Sequence, residues 1–183
     1  MSNLTDSPIF KVNDDYYTPF TAWENINKQL NIIDDNDKII WEACCLNAYN
    51  SKSPVYLNTL LEAEIVYDYK MDCLTDEPEK WDMIITNIPF NIKIKIPILK
   101  RFVELDKPFI IIMNSMNTFT KYLRKIFKGN FNHLQIITPD NKIHFDRLED
   151  DGTLTKTKNC SFYCIYLCYK CNFKQEDLWL GDI

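Results

Sequence analysis

The sequence predicts an α/β fold built on a mainly parallel sheet, and three observations carry that expectation. Short apolar runs alternate with segments of helical spacing from Lys38 to Thr138, which implies strands joined by helical crossovers. Phe109 to Met113 is apolar at every residue, as a strand covered on both faces must be. The chain has 183 residues, 46% of them hydrophobic, enough for one core and too apolar for a disordered segment.

Taken in order, Met1 to Asp15 is a polar N-terminal segment, and 16–183 reads as one domain without repeats or linkers. Thr21 caps a helix through Leu30, with Trp23, Ile26, Asn27 and Leu30 near helical spacing. Lys38 to Trp41 is a buried strand. Ser53 and Pro54 then supply an N-cap and first helical position for a helix reaching Leu61. Strands are expected at Glu64 to Tyr67, Asp82 to Thr86, Pro108 to Met113 and Leu134 to Thr138. Helices are expected at Ile94 to Leu105 and Asn117 to Phe127. From Lys142 the alternation stops, and Lys142 to Phe145 with Ser161 to Tyr169 reads as an antiparallel pair at one edge.

Composition excludes several classes. A net charge of -5, from 21 basic and 26 acidic side chains, gives no global field for duplex DNA, so any nucleic-acid contact is local. No apolar run approaches the ~20 residues of a membrane helix, and the start lacks the order of a signal peptide. Seven irregularly spaced cysteines fit reduced thiols, so the expected setting is intracellular, cytoplasmic or nuclear.

In an open α/β sheet, ligands bind beyond the carboxyl ends of the strands, which directs attention to Asn87-Ile88-Pro89-Phe90 after the strand ending at Thr86. An amide followed by a rigid turn and an aromatic ring suits a flipped-out adenine. The Asn oxygen and the next carbonyl accept from the exocyclic amine while the ring stacks on the base, a contact worth about 1–3 kcal/mol. The plain alternative is ordinary turn chemistry followed by a core aromatic.

Asn-Ile-Pro-Phe, preceded by Trp81 to Thr86, resembles the Asn/Asp-Pro-Pro-Tyr/Phe motif of S-adenosylmethionine (SAM)-dependent N6-adenine methyltransferases. With Ile88 and Asn91 it resembles the ribosomal RNA adenine dimethyltransferases still more. Tyr17-Thr18-Pro19 with Trp23-Glu24-Asn25-Ile26 is similar to the N-terminal motif of adenine methyltransferases. Lys107 to Ile110 and Thr120-Lys121-Tyr122 resemble small methyltransferase-like proteins of large DNA viruses. The resemblance implies a Rossmann-like class I methyltransferase fold with a seven-strand sheet, SAM as cofactor and nucleic acid as substrate. It places Thr18 and Pro19 at the methionine end of the cofactor, Glu42 near its amino group, Asp68 at the ribose and Asp72 beside the adenine. Asn87, Ile88, Pro89 and Phe90 hold the target base.

One departure from that pattern is physical. The loop expected to be glycine-rich, Trp41 to Asn50, has no glycine, so a Cβ at every position narrows the space beside the cofactor. A second expectation therefore stands beside the first: a methyltransferase fold without SAM binding, serving as a scaffold or interaction subunit with a protein partner.

Other constellations carry less. Cys160, Cys164, Cys168 and Cys171 invite a zinc site, but along a strand the first three span roughly 26 Å at about 3.3 Å per residue, and buried thiols are the simpler reading. No metal is expected. Lys93, Lys95, Lys100 and Arg101, with Lys121, Arg124, Lys125 and Lys128, are either solvated helix faces or a track for phosphates. His133 and His144 have no partner spaced for a nucleophilic triad.

Overall fold

The computed structural model describes residues 16–26, 38–45, 52–61, 63–139, 141–148, 153–156 and 162–174. Along the chain run β1 (Tyr16–Tyr17), α1 (Phe20–Glu24), β2 (Ile39–Trp41), α2 (Ser53–Leu60), β3 (Glu64–Val66), β4 (Met83–Asn87), α3 (Ile92–Leu105) and β5 (Phe109–Asn114). They are followed by α4 (Lys121–Ile126), β6 (Leu134–Ile137), β7 (Asp146–Leu148), β8 (Leu154–Lys156) and β9 (Cys164–Tyr169).

Among the described residues the main sheet has six strands in the order β3-β2-β4-β5-β9-β6, where seven are expected. β3, β2, β4 and β5 pair in parallel, and β9 lies antiparallel between β5 and β6. Only residues 67–82 connect β3 back across β2 to β4, and they hold no strand or helix, so β3 is left as the edge. The expected C-terminal pair is also corrected. All six residues of β9 are buried, which demands an interior position. Ile143 and Phe145 bury as an alternating segment should, but pairing begins at Asp146, where β7 joins β1 and β8 in a separate three-stranded sheet.

Alternation along the strands builds two cores. Met83, Ile85, Ile110, Ile112, Tyr166 and Cys168 face α1 and α2, meeting Trp23 and Leu57. Ile84, Phe109, Ile111, Leu167 and Tyr169 face α3 and α4, meeting Leu99, Phe102, Leu123 and Phe127. Local contacts fix α1 and α3. In α1 the carbonyl of the N-cap Pro19 accepts from Ala22 N at 3.0 Å, and Trp23 Nε1 donates to Ser53 Oγ at 3.1 Å, tying α1 to α2. Asn91 caps α3 by accepting from Lys93 N at 3.0 Å, and Asp106 ends it in the left-handed conformation, held by Lys170 Nζ at 2.7 Å. The single helix expected over Asn117 to Phe127 is a 3-10 turn, Ser115–Asn117, and then α4, because Asn114 accepts from Met116 N and starts the first turn early.

Lys107 secures the edge opposite the site. Its Nζ donates to Trp81 O at 2.6 Å and lies 4.0 Å from the Trp81 ring centroid. Among the described residues no helix is long and apolar enough to cross a membrane.

Truncating Ile111, fully buried at the centre of β5, should lower stability by about 2–5 kcal/mol, whereas Phe131→Ala, at a half-exposed ring, should stay within about 0.5 kcal/mol. Urea denaturation of both variants checks this; equal midpoints would contradict the assigned core.

Candidate functional site

The crossover β2-α2-β3 covers one face of the sheet and β4-α3-β5 the other, so the chain winds outward in opposite directions from β2 and β4. Their carboxyl ends flank a topological switch point, where such sheets open a crevice. Glu42 follows β2 and Asn87 ends β4.

Glu42 is buried. Its backbone N–H donates to Val66 O at 3.0 Å, and its Oε1 accepts from the Thr86 hydroxyl. The same Thr86 oxygen accepts from Cys44 N at 3.1 Å, so one hydroxyl joins the turn after β2 to the end of β4. Oε2 of Glu42 is buried with no hydrogen-bond partner. Burial pushes the carboxyl up to about 7, against the opposing hydrogen bonds from Thr86, Cys45 and the Cys44 backbone. Asn87, one residue beyond Thr86, has a buried Oδ1 that likewise lacks a partner. Two buried acceptors without donors thus lie at the carboxyl ends of adjacent strands; the other unpartnered buried side-chain atoms among the described residues, Arg101 Nε and Tyr122 Oη, lie on α3 and α4.

The expected residues fall as follows. Ile88 and Pro89 are buried, and Ile88 N donates to Ile112 O at 3.3 Å, which anchors the motif to β5. Phe90 is partly exposed and packs against Phe162 at 4.8 Å, Phe145 at 5.3 Å and Tyr16 at 6.0 Å between ring centroids. Lys95, expected on a solvated or phosphate-binding helix face, is instead buried, with Nζ 5.8 Å from the Phe90 centroid. Thr18 and Pro19 are buried where the chain enters α1, next to β1, whose Tyr16 touches Phe90.

Asp68 and Asp72 lie in the loop after β3. Asp68 is exposed and accepts from Lys70 N at 2.8 Å; Asp72 is half-buried and accepts from Leu74 N at 3.0 Å. Each closes a local turn with one carboxylate oxygen. Cys73 hydrogen-bonds Cys44, which brings the Asp72 loop against the turn that follows Glu42. That contact and burial push the Cys44 thiol up.

The glycine-free loop is described only as far as Cys45. Non-glycine residues with positive φ among the described residues are Asp106, Lys170 and Asn172, none of them between Glu42 and Cys45. The turn therefore opens without the conformation that glycine would ease. Residues 46–51 lie outside the described residues, as does Cys160. Cys164 and Cys168 are buried in the face of β9 that packs on α1 and α2.

Thr86, Tyr16, Phe145 and Phe162 escape a reading of motifs. The one available signal is Thr86, a hydroxyl in an otherwise apolar buried strand.

No family model matches the chain, and no curated protein matches it by sequence. Solved structures do. One described as a class I SAM-dependent methyltransferase from Listeria monocytogenes superposes with a TM-score of 0.55 at 12% identity, covering 92% of this chain and 66% of that one. An O-methyltransferase from Thermotoga maritima gives 0.41 at 9% identity, covering 85% and 67%. TehB from Haemophilus influenzae gives 0.43 at 13%, covering 80% and 62%. The chain thus spans just under two thirds of the Listeria protein's length. That first likeness defines the fold: it is the class I methyltransferase fold.

Glu42 binds more protons folded than unfolded between about pH 4.5 and 7, so its burial lowers stability as pH rises through that window. Glu42→Gln should match the native chain near pH 5 and exceed it by about 2–3 kcal/mol at pH 8. Urea midpoints across pH measure this; parallel profiles for both chains would show that the carboxyl titrates normally.

Proposed function

We propose that the protein is a SAM-dependent methyltransferase acting on an exocyclic amine, most specifically N6 of adenine in nucleic acid. The observation that carries this reading is the pair of unpartnered buried acceptors, Glu42 Oε2 and Asn87 Oδ1, at the carboxyl ends of β2 and β4. The two molecules such an enzyme brings together each offer a donor: the ammonium of the cofactor's methionine end and the amine of adenine.

The described residues fit the cofactor. Glu42 would take its ammonium, exchanging an unpaired buried carboxyl for a charge-assisted hydrogen bond. Asp68, with one carboxylate oxygen outside its local turn, would hold the ribose hydroxyls, and Asp72 would border the adenine. Thr18 and Pro19 would close the methionine end. When bound, SAM supplies an electrophilic methyl group on a sulfonium.

The chain's own work is positional. Asn87 Oδ1 accepts one hydrogen of the target amine and fixes its direction, and the carbonyl of Ile88 is the second acceptor. Pro89 holds the turn rigid, and the exposed part of the Phe90 ring meets the base plane. Most of the acceleration would come from holding the amine in place for transfer, so the chain contributes positioning rather than acid–base work. No side chain must take the proton before attack, because a neutral aromatic amine loses it to water after transfer.

One observation favours the scaffold alternative. Phe90 is gripped by three aromatic rings, as a core residue would be, and this uses part of the ring a base would stack on.

Isothermal titration separates the two. SAM and S-adenosylhomocysteine should bind tighter than about 100 μM, and Asp68→Ala should weaken them at least tenfold. Asn87→Ala should leave cofactor affinity intact and reduce transfer to adenine-containing oligonucleotides by 100-fold or more. No heat at millimolar ligand would favour the scaffold, and full transfer by Asn87→Ala would show the target amine to be elsewhere.

A further inference from the structure

The charges of this chain are segregated along its sequence. Residues 91–130, which contain α3, β5 and α4, carry nine basic and two acidic side chains, while the other positions carry twelve basic and twenty-four acidic. The net charge of -5 therefore conceals a basic stretch of sequence. Lys95 in it is buried and Lys107 lies at the opposite edge, which leaves Lys93, Lys100, Lys121, Arg124, Lys125 and Lys128 exposed on and beside α3 and α4. Within it, α3 and α4 pack side by side and leave a groove of about 510 Å³ edged by Lys100 and Lys125, with Tyr122 in its wall and Glu104 as its one acid.

The second observation lies at the carboxyl edge of the sheet. Phe119 is 91% exposed two residues before α4, and Tyr163 is 66% exposed just before β9. Ser115 N donates to Tyr163 O at 2.9 Å, so both rings belong to loops at the carboxyl edge of β5, the edge at which Asn87 lies on β4. Lys142 places its ammonium 4.8 Å from the Tyr163 centroid. Tyr163 also follows Phe162, which touches Phe90. Large rings left in water are well suited to stacking exposed bases.

We propose that Phe119, Tyr163 and the α3–α4 groove form a binding track for single-stranded nucleic acid, with the two rings stacking bases beside the target and Lys100 and Lys125 meeting phosphates further along. The track rests on the preceding reading in taking a nucleic-acid base as target. Single strands are specified because a duplex hides its base faces from both rings. The acidic remainder of the surface repels the backbone elsewhere, so the strand has one approach.

Fluorescence anisotropy on the full chain with a labelled 16-nucleotide adenine-containing single strand, over a salt series, tests this. Phe119→Ala should weaken binding about tenfold without changing the salt slope, the signature of lost stacking. The pair Lys100→Glu and Lys125→Glu should reduce the slope by about 1.4, two phosphates' worth for a single strand, whereas Lys80→Glu with Lys156→Glu, an equal change in net charge on the acidic body, should leave the slope unchanged. All of these positions are exposed, so the variants should keep the native urea midpoint. The proposal is overturned if the native chain does not bind at low salt, if the duplex of the same sequence binds equally well, or if the two charge-reversed pairs behave alike. SAM binding without oligonucleotide binding would refute the track alone. Oligonucleotide binding without SAM binding would refute the transfer reading alone.

Discussion

The structure turns on one buried carboxyl. Glu42 sits where β2 leaves the sheet, and its burial is tolerated because Thr86 donates to it from the neighbouring strand while the turn after β2 donates to the same Thr86 oxygen. That network sets the spacing between the ends of β2 and β4. It leaves one carboxyl oxygen, Oε2, without a partner, just as Asn87 Oδ1 lacks one on the neighbouring strand. Buried acceptors of this kind weaken a fold, and sites are where folds carry such weakness.

The short return from β3 to β4 has a structural consequence. With no helix or strand between residues 67 and 82, the loop carrying Asp68 and Asp72 folds directly against the turn after β2, where Cys73 meets Cys44. That short return keeps the acids close to the switch point. On the other side, the inserted β9 brings Phe162 and Tyr163 to the carboxyl edge, so one ring supports Phe90 while the next faces water.

Much of this was legible in the sequence where burial and periodicity act together. β4, β5 and α3 follow from apolar runs and helical spacing, although the cap at Asn91 starts α3 two residues before the expected Ile94, and the position of Asn87 at a strand end follows from them. Pairing was less legible. Ile143 and Phe145 alternate because they bury, but alternation does not say which neighbour an extended segment bonds to, and the ladder starts one residue later in another sheet. An edge pair is the simplest reading of two extended segments joined by a polar loop, but the wholly buried β9 lies in the interior. At the site, the motif residues could be named from their spacing, whereas the Thr86 bridge and the aromatic cluster around Phe90 depend on contacts between segments more than 40 residues apart. Lys95 shows the same limit: a lysine among lysines on one helix is indistinguishable by composition, yet its position on α3 points it into the core.

The most direct test of the account is carbon-13 NMR titration of the Glu42 side-chain carboxyl, with and without saturating S-adenosylhomocysteine. A midpoint near pH 7 in the free protein, falling by at least a unit when the ammonium-bearing ligand is present, is the predicted result. A midpoint near 4.5, or one that does not move with the ligand, would contradict it.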